Sequence, residues 1–230
     1  MHTRSAQLSP SATLSASTSL QRRPAARQAA LQCRCLLSRF FPQQLKKPPE
    51  LKALLDAIEG TNRGFSTTKE QKATILSCVE ALEQIQRQSG RSTDISDGVN
   101  AVWKMLWTSE KETQFILKNA PLFRTQAGDV FQMIDKASGR LQNAILFPPA
   151  GCFLIDSSCE ADGDARINFK FNKATFRVSG KDYNLPPFGQ GWFETIYLQD
   201  DVRVAKDSRK DTIVFVRDGL PRDLSQECSD

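Results

Sequence analysis

The chain has 230 residues, of which 40% are hydrophobic and 25% are charged, a composition typical of one globular domain with appendages. Its net charge of +5 is unevenly distributed, because the first 49 residues hold eight Lys or Arg and no acid, whereas the other 181 hold 23 basic and 26 acidic residues. A slightly acidic body argues against nucleic-acid binding, and the longest apolar stretch, 144–155, is too short for a transmembrane helix.

The first 40 residues are rich in Ser, Thr, Ala and Arg and lack the apolar core of a secretory signal. This composition predicts an organelle transit peptide, with a disordered tail as the alternative, and the Ser and Ala ahead of the Arg cluster favour a plastid. We place the transit peptide and its linker at residues 1–48. The single histidine, His2, lies in this leader, so we expect no histidine-based catalysis or metal site in the body.

Two amphipathic helices are predicted over residues 49–90. Leu51, Leu54, Leu55 and Ile58 have the spacing of one helical face, and Gly60 is suited to end that helix. A second apolar stripe runs to about residue 88. The spacing of Thr67 and Glu70 predicts a capping box at the start of this second helix.

From residue 99 the apolar period changes from 3.6 to 2, which predicts strands within residues 98–220. We expect about nine, at 101–109, 129–135, 140–147, 152–158, 165–172, 174–180, 192–198, 201–206 and 212–218. The fold class is therefore α+β and mainly β: an antiparallel up-and-down barrel of 8–9 strands preceded by two helices, with a two-sheet sandwich as the alternative. A barrel of this size can enclose one small apolar ligand.

Large aromatic residues are concentrated in this strand region. They are explained either by core packing or by a ligand pocket at one end of the barrel. Trp103, Met105 and Trp107 alternate along one predicted strand and are expected to share a face. The candidate pocket residues are Trp103, Met105, Trp107, Phe131, Phe169, Phe171, Phe176, Trp192, Glu194, Ile196, Arg203 and Arg217.

The candidate pocket includes one carboxylate, Glu194, which alternates with Trp192 and Ile196 and is therefore expected to face inward. An inward carboxylate needs a partner, and Arg203 and Arg217 are the candidates. The pair either fixes the strand register or contacts a ligand head group. We find no nucleophile elbow, phosphate loop or metal motif, so we predict a protein that is not an enzyme and has no cofactor.

A loop rich in proline and glycine precedes the aromatic strand at 192–198. We expect its residues to lie over one end of the barrel, either as the mouth of the pocket or as a well-packed corner. They are Pro186, Pro187, Phe188, Gly189 and Gly191.

Four cysteines lie outside the leader: Cys78, Cys152, Cys159 and Cys228. Their spacing fits no zinc pattern. We expect four reduced thiols.

Four blocks of sequence together resemble the plastid lipid-associated proteins, or fibrillins, over residues 50–218. They are LLDAIEGTNRG, WKMLWTSEK, GDVFQMID and LPPFGQGWFETIYLQDDVRVAKDSRKDTIVFVRD. Trp103 is similar in position to the tryptophan of a lipocalin-type Gly-x-Trp, although Ala101 replaces the glycine.

This resemblance implies a lipocalin-like barrel in a chloroplast protein of thylakoid, plastoglobule or stroma. It also implies non-catalytic binding or storage of a prenyl lipid such as a prenylquinone, a carotenoid or a fatty acid, with a peripheral lipid surface as a further partner. The alternative is a scaffold whose helical pair, 49–90, docks a plastid enzyme of isoprenoid-quinone synthesis.

Overall fold

The computed structural model describes residues 47–90, 97–123, 125–149, 151–186, 189–199 and 201–228. The predicted transit peptide up to residue 46 lies outside the described residues, and so do Pro187 and Phe188 of the proline–glycine loop.

Two helices precede the sheet, α1 (Pro49–Ile58) and α2 (Lys69–Gln88). The capping box of α2 is formed by Thr68 and Gln71, one residue later than predicted. The reason is that the Thr67 hydroxyl is used elsewhere: it donates to the Gly64 carbonyl and accepts from the indole N–H of Trp107. Thr67 therefore anchors the start of α2 to the sheet rather than capping the helix.

Nine strands follow: β1 (Ala101–Thr108), β2 (Val130–Asp135), β3 (Arg140–Leu146), β4 (Gly151–Asp162), β5 (Arg166–Val178), β6 (Lys181–Leu185), β7 (Gln190–Gln199), β8 (Val202–Asp207) and β9 (Thr212–Gly219). The strands predicted at 165–172 and 174–180 are one strand, β5. Asn172 and Lys173, at the junction of the two predicted strands, lie at a bulge in the β4–β5 ladder. Strand β6 and a third helix, α3 (Lys111–Asn119), were not predicted.

The sheet closes on itself. Its strand order is β4-β3-β2-β1-β9-β8-β7-β5-β6, and an additional β4–β5 pairing joins the ends of an eight-stranded ring, leaving β6 as a ninth strand. Every pairing between these nine strands is antiparallel. The predicted lipocalin-like barrel is therefore confirmed. Strand β5 pairs with β4 along nearly all its length, whereas its other edge pairs first with β7 and then with β6.

Two bulges move side chains from the inside of the barrel to the outside. The register shifts between Met105 and Trp107 in β1, and between Thr195 and Tyr197 in β7. As a result Trp107 and Tyr197 pack on the outer face against α1 and α2, together with Leu54, Val79 and Val204 among others. Met105 instead belongs to the interior cluster, the apolar core inside the barrel that includes Trp103, Ile134, Phe193 and Phe215. The prediction that Met105 and Trp107 share a face is therefore wrong.

The turn between α1 and α2 touches the end of β1. Gly64 has φ +97°, and a Cβ there would lie 2.2 Å from the carbonyl oxygen of Thr108. Arg63 donates to the carbonyl of Ala127 and lies 3.9 Å from the carboxylate of Asp129. The block "GTNRG" thus fixes the helical pair to the barrel wall.

The C-terminal segment covers another part of the outer face. Leu224 and Cys228 are buried with Val102, Phe131 and Leu154. Cys228 forms a disulfide with Cys152, which corrects the expectation of four reduced thiols. Sequence spacing could not show this pair because the two cysteines are 76 residues apart and only the folded tail brings them together.

Asp223 also holds the C-terminal tail in place. Burial raises the pKa of this carboxyl, but hydrogen bonds from Ser225, Arg140 and Gln142 outweigh it and hold that pKa well below its usual range. In the described part of the chain, no helix has the length and apolar character needed to cross a bilayer.

Candidate functional site

A cavity of about 470 Å³ lies inside the barrel. Its walls are predominantly apolar, because alternate residues of β1–β5, β7 and β9 point inward. The apolar lining comprises Met105, Ile116, Val130, Leu141, Ile145, Phe153, Ile155, Phe169, Phe171, Phe193, Ile213 and Phe215. A closed barrel of eight strands has room for one small ligand, and this volume agrees with that limit.

Helix α3 lies at one end of the cavity. Ile116 lines the cavity and Leu117 belongs to the interior cluster, so the apolar face of α3 completes the wall. On the other side of the same helix, Phe115 is 67% exposed, and Leu122, just after it, is 77% exposed. The end beside α3 is the mouth of the cavity.

Polar residues form part of this mouth. Glu110, Asp207 and Arg209 line the cavity, and Asp207 accepts hydrogen bonds from the backbone of Arg209 and Asp211. Burial raises the pKa of Glu110, and the nearby Asp207 carboxylate raises it further, against a hydrogen bond from the Thr113 hydroxyl. The hydrogen bonds to Asp207 stabilise the β8–β9 turn, so this carboxylate has a structural role.

The opposite end of the barrel is closed by Trp103 and two arginines. The Trp103 indole donates to the Val99 carbonyl, and the guanidinium of Arg217 lies 4.5 Å from its ring centroid. Arg203 is fully buried, with its guanidinium 4.3 Å from the ring centroid of Phe215 and 5.4 Å from that of Phe193. Because both rings line the cavity, Arg203 lies directly behind the cavity floor.

Seven of the twelve predicted pocket residues lie inside the barrel or at its closed end, and the other five lie on its outer face: Trp107, Phe131, Trp192, Glu194 and Ile196. Met105, Phe169 and Phe171 line the cavity, whereas the side chain of Phe131 packs on the outer face with Leu224 and Cys228. Trp103, Arg203 and Arg217 lie at the closed end. Phe176 packs against the interior cluster, with its ring 6.0 Å from that of Phe147, and does not line the cavity.

Trp192, Glu194 and Ile196 do not face the cavity. On β7 the inward residues are Phe193 and Thr195, so the predicted alternation is shifted by one position. Glu194 instead accepts from Arg166, at 2.6 Å, and the Arg166 guanidinium stacks 4.1 Å from the Trp192 ring centroid. Ile196 packs on the outer face with the helices. The expected pairing of Glu194 with Arg203 or Arg217 is wrong.

Glycines of the proline–glycine loop lie at the mouth. Gly189 has φ +146°, and a Cβ there would lie 2.6 Å from the ring of Phe171. At Gly191 a Cβ would be 3.1 Å from the Phe169 ring, a tight contact as well. Pro186 is exposed. The backbone therefore passes directly over the aromatic rings of the cavity wall.

Sequence reasoning missed two amide side chains inside the barrel, Gln132 and Asn143. They are cross-strand partners on β2 and β3, and both line the cavity. Their positions in the sequence could have indicated that they face inward. Gln132 lies between the inward residues Val130 and Ile134, and Asn143 lies between Leu141 and Ile145.

Cys159 is a free thiol that packs against the interior cluster, opposite Phe169. Burial, helped by the Asp135 carboxylate, raises its pKa to about 11, so it is an unreactive thiol at neutral pH. Cys78 on α2 is also free, and burial raises its pKa. Within the described residues no cluster of His, Cys, Asp or Glu is arranged to hold a metal ion.

An eight-stranded closed barrel with an interior apolar cavity and an outer helical pair defines a lipocalin-like protein. The chain belongs to the PAP_fibrillin family, whose model matches residues 50–216. No solved structure gave a significant match to the chain.

Curated relatives agree with this assignment. The chain is 43% identical to the probable plastid-lipid-associated protein 11, chloroplastic, of Arabidopsis thaliana, over 71% of this chain and 77% of the relative. It is 23% identical to the plastid-lipid-associated protein, chloroplastic, of Citrus unshiu, over 74% and 68%. It is 25% identical to plastid-lipid-associated protein 6, chloroplastic, of Arabidopsis thaliana, over 71% and 68%. The protein is therefore a chloroplast protein of the plastid-lipid-associated family.

Proposed function

We propose that this protein binds one lipophilic small molecule inside its barrel and that it catalyses no reaction on it. The observation that carries the proposal is the apolar cavity of about 470 Å³. This volume falls within the range of about 300–1,000 Å³ that is usual for small-molecule sites. The candidate ligand classes are those that the family resemblance implies: a prenylquinone, a carotenoid or a fatty acid.

A lipid surface is the proposed source of the ligand. Phe115 on α3 and Leu122 just after it are exposed beside the mouth, and the other side of α3 lines the cavity. Apolar residues in that position suit transient contact with a plastoglobule or thylakoid surface, since they would enter the lipid while the mouth faces it.

The alternative function, a scaffold that docks a plastid enzyme through the helical pair, has less support. The apolar faces of α1 and α2 are already covered by β7, β8 and β9, with Leu51, Leu54 and Leu82 buried. Of the large apolar side chains that are exposed in the described part of the chain, Phe65 alone belongs to the helical pair or its turn.

Blocking the cavity tests the proposed function. The full chain is incubated with a plastid-type lipid extract, and bound lipid is identified by native mass spectrometry. We expect Ile155→Trp to abolish bound lipid, because Ile155 lines the cavity and an indole there would fill part of it. The matched control is Ile196→Trp, the same change at a half-buried residue outside the barrel.

One stoichiometric lipid that is lost in Ile155→Trp and retained in Ile196→Trp would support a binding protein. A wild-type chain that takes no lipid from the extract would refute this function. It would then favour the scaffold.

A further inference from the structure

A polar chain crosses the apolar interior from Arg203 to the cavity. Arg203 Nη2 donates to Gln132 Oε1, and Gln132 Nε2 donates to Asn143 Oδ1 at 3.1 Å. Gln132 and Asn143 both line the cavity, among aliphatic and aromatic residues. The three side chains connect a buried positive charge to the surface that a ligand would touch.

The arginine determines which way both amides point. A guanidinium has only donors, so the Gln132 atom that meets Arg203 must be its oxygen, and its NH₂ group must face Asn143. Asn143 must then offer its own oxygen to that NH₂. This leaves Asn143 Nδ2, which has no acceptor among the described residues, with two N–H groups to donate at the cavity wall.

Arg203 itself is short of acceptors. Its side chain is fully buried, and Nε and Nη1 have no hydrogen-bond partner in the described part of the chain. Its contacts are Gln132 and the aromatic rings of Trp103, Phe193 and Phe215. Burial, together with the nearby charge of Arg217, lowers the pKa of Arg203 to about 9, so it remains a cation at neutral pH. The cavity floor is therefore positively polarised and offers donors.

We propose that the cavity selects a single-chain lipid whose head is a hydrogen-bond acceptor, a carbonyl or a carboxylate oxygen. The head enters first and accepts from Asn143 Nδ2. The apolar chain then runs past Phe169 and Phe171 toward the mouth. This inference depends on the proposed lipid-binding function and names the class of ligand that the cavity takes. A lipid without an acceptor leaves the two Asn143 N–H donors unpaired, which disfavours binding of that lipid.

Three probes of equal chain length test the selection: hexadecanoic acid, hexadecan-2-one and hexadecane, each titrated into the full chain by calorimetry or native mass spectrometry. We expect the acid and the ketone to bind about tenfold more tightly than the alkane. Asn143→Leu should weaken binding of the acid and the ketone by about three- to tenfold. The affinity for the alkane should stay the same or increase.

The control variant is Ile155→Leu. Ile155 is the cross-strand neighbour of Asn143 and lines the same wall, but it has no polar group. It should change binding of all three probes by a similar factor. A loss limited to the two acceptor-headed probes, seen in Asn143→Leu and not in Ile155→Leu, supports the proposal.

Asn143→Asp is a second variant that keeps the shape and still accepts from Gln132, so it covers the case in which the leucine variant does not fold. A larger loss for the acid than for the ketone identifies a carboxylate next to Asn143, and an equal loss identifies a neutral carbonyl contact; either supports the acceptor head.

If hexadecane binds as tightly as the other two probes and Asn143→Leu changes none of them, the acceptor-head proposal is overturned while lipid binding stands. If no probe binds but the chain takes a lipid from the plastid-type extract, the acceptor-head proposal for a single-chain lipid is overturned while lipid binding stands; if it takes none from the extract either, both proposals are overturned.

Discussion

The disulfide between Cys152 and Cys228 joins the C-terminal tail to β4, and we expect its loss to destabilise the whole barrel. Its partners are 76 residues apart. Closing a loop of that length lowers the entropy of the unfolded chain, which corresponds to about 4.5 kcal/mol at 25 °C. Disulfides commonly contribute less than this limit, so we expect Cys228→Ser to lower the free energy of unfolding by about 2–4 kcal/mol.

Guanidinium denaturation of the oxidised full chain, monitored by tryptophan fluorescence, measures this change. Cys78→Ser is the control, since Cys78 is a free thiol on α2, and it should shift the free energy of unfolding by less than about 1 kcal/mol. Reducing the wild-type protein should reproduce the Cys228→Ser result. A Cys228→Ser variant as stable as Cys78→Ser would refute the reasoning, because it would mean that burial of Leu224 and the Asp223 hydrogen bonds hold the tail without the covalent link.

Two further predictions concern the helical turn and the mouth. Gly64→Ala should lower the free energy of unfolding, measured by thermal melts, by about 2–4 kcal/mol, because the added Cβ would meet the backbone carbonyl of Thr108. Gly60→Ala is the control: Gly60 is also at positive φ but has open space around it, so this change should lower the free energy of unfolding by about 1 kcal/mol. Equal effects of the two variants would argue against the contact. Replacing Phe115 and Leu122 by Ser should reduce flotation with liposomes of chloroplast galactolipids several-fold without unfolding the protein, and unchanged flotation would contradict contact at the mouth.

The helices and the class of fold were predictable because their apolar residues follow one simple period. Leu51, Leu54 and Ile58 are buried as the helical spacing predicts. The run of short strands predicted a barrel, and the pairing of β4 with β5 confirms that the sheet is closed. Helix α3 was missed because it has only nine residues, of which Leu117 alone is buried.

The faces of individual strands were harder to predict, for a physical reason. Strand β7 is covered on one side by the interior cluster and on the other by α1 and α2, so "GWFETIYL" has large apolar residues on both faces. Period-2 alternation then cannot distinguish Phe193 from Trp192. A bulge is also invisible to periodicity, and it is the bulge in β1 that turns Trp107 outward.

The polar part of the cavity could not be found from residue type alone. Gln132 and Asn143 look like ordinary polar residues of half-exposed strands, and Arg203 resembles a partner for a carboxylate. Only the closed ring places β2, β3 and β8 so that Arg203 reaches Gln132, which is 71 positions away in the chain.

One edge of β5 pairs with β7 and then with β6, and this makes the local stability of the barrel wall differ along β5. Up to residue 170 of β5 the wall is a continuous ring. Beyond it the β5–β6 hairpin pairs with β4 as its one neighbouring strand, and all five residues of β6 are exposed. Amide hydrogens of β6 should therefore exchange with solvent far sooner than those of β8 or β9, which are paired on both edges.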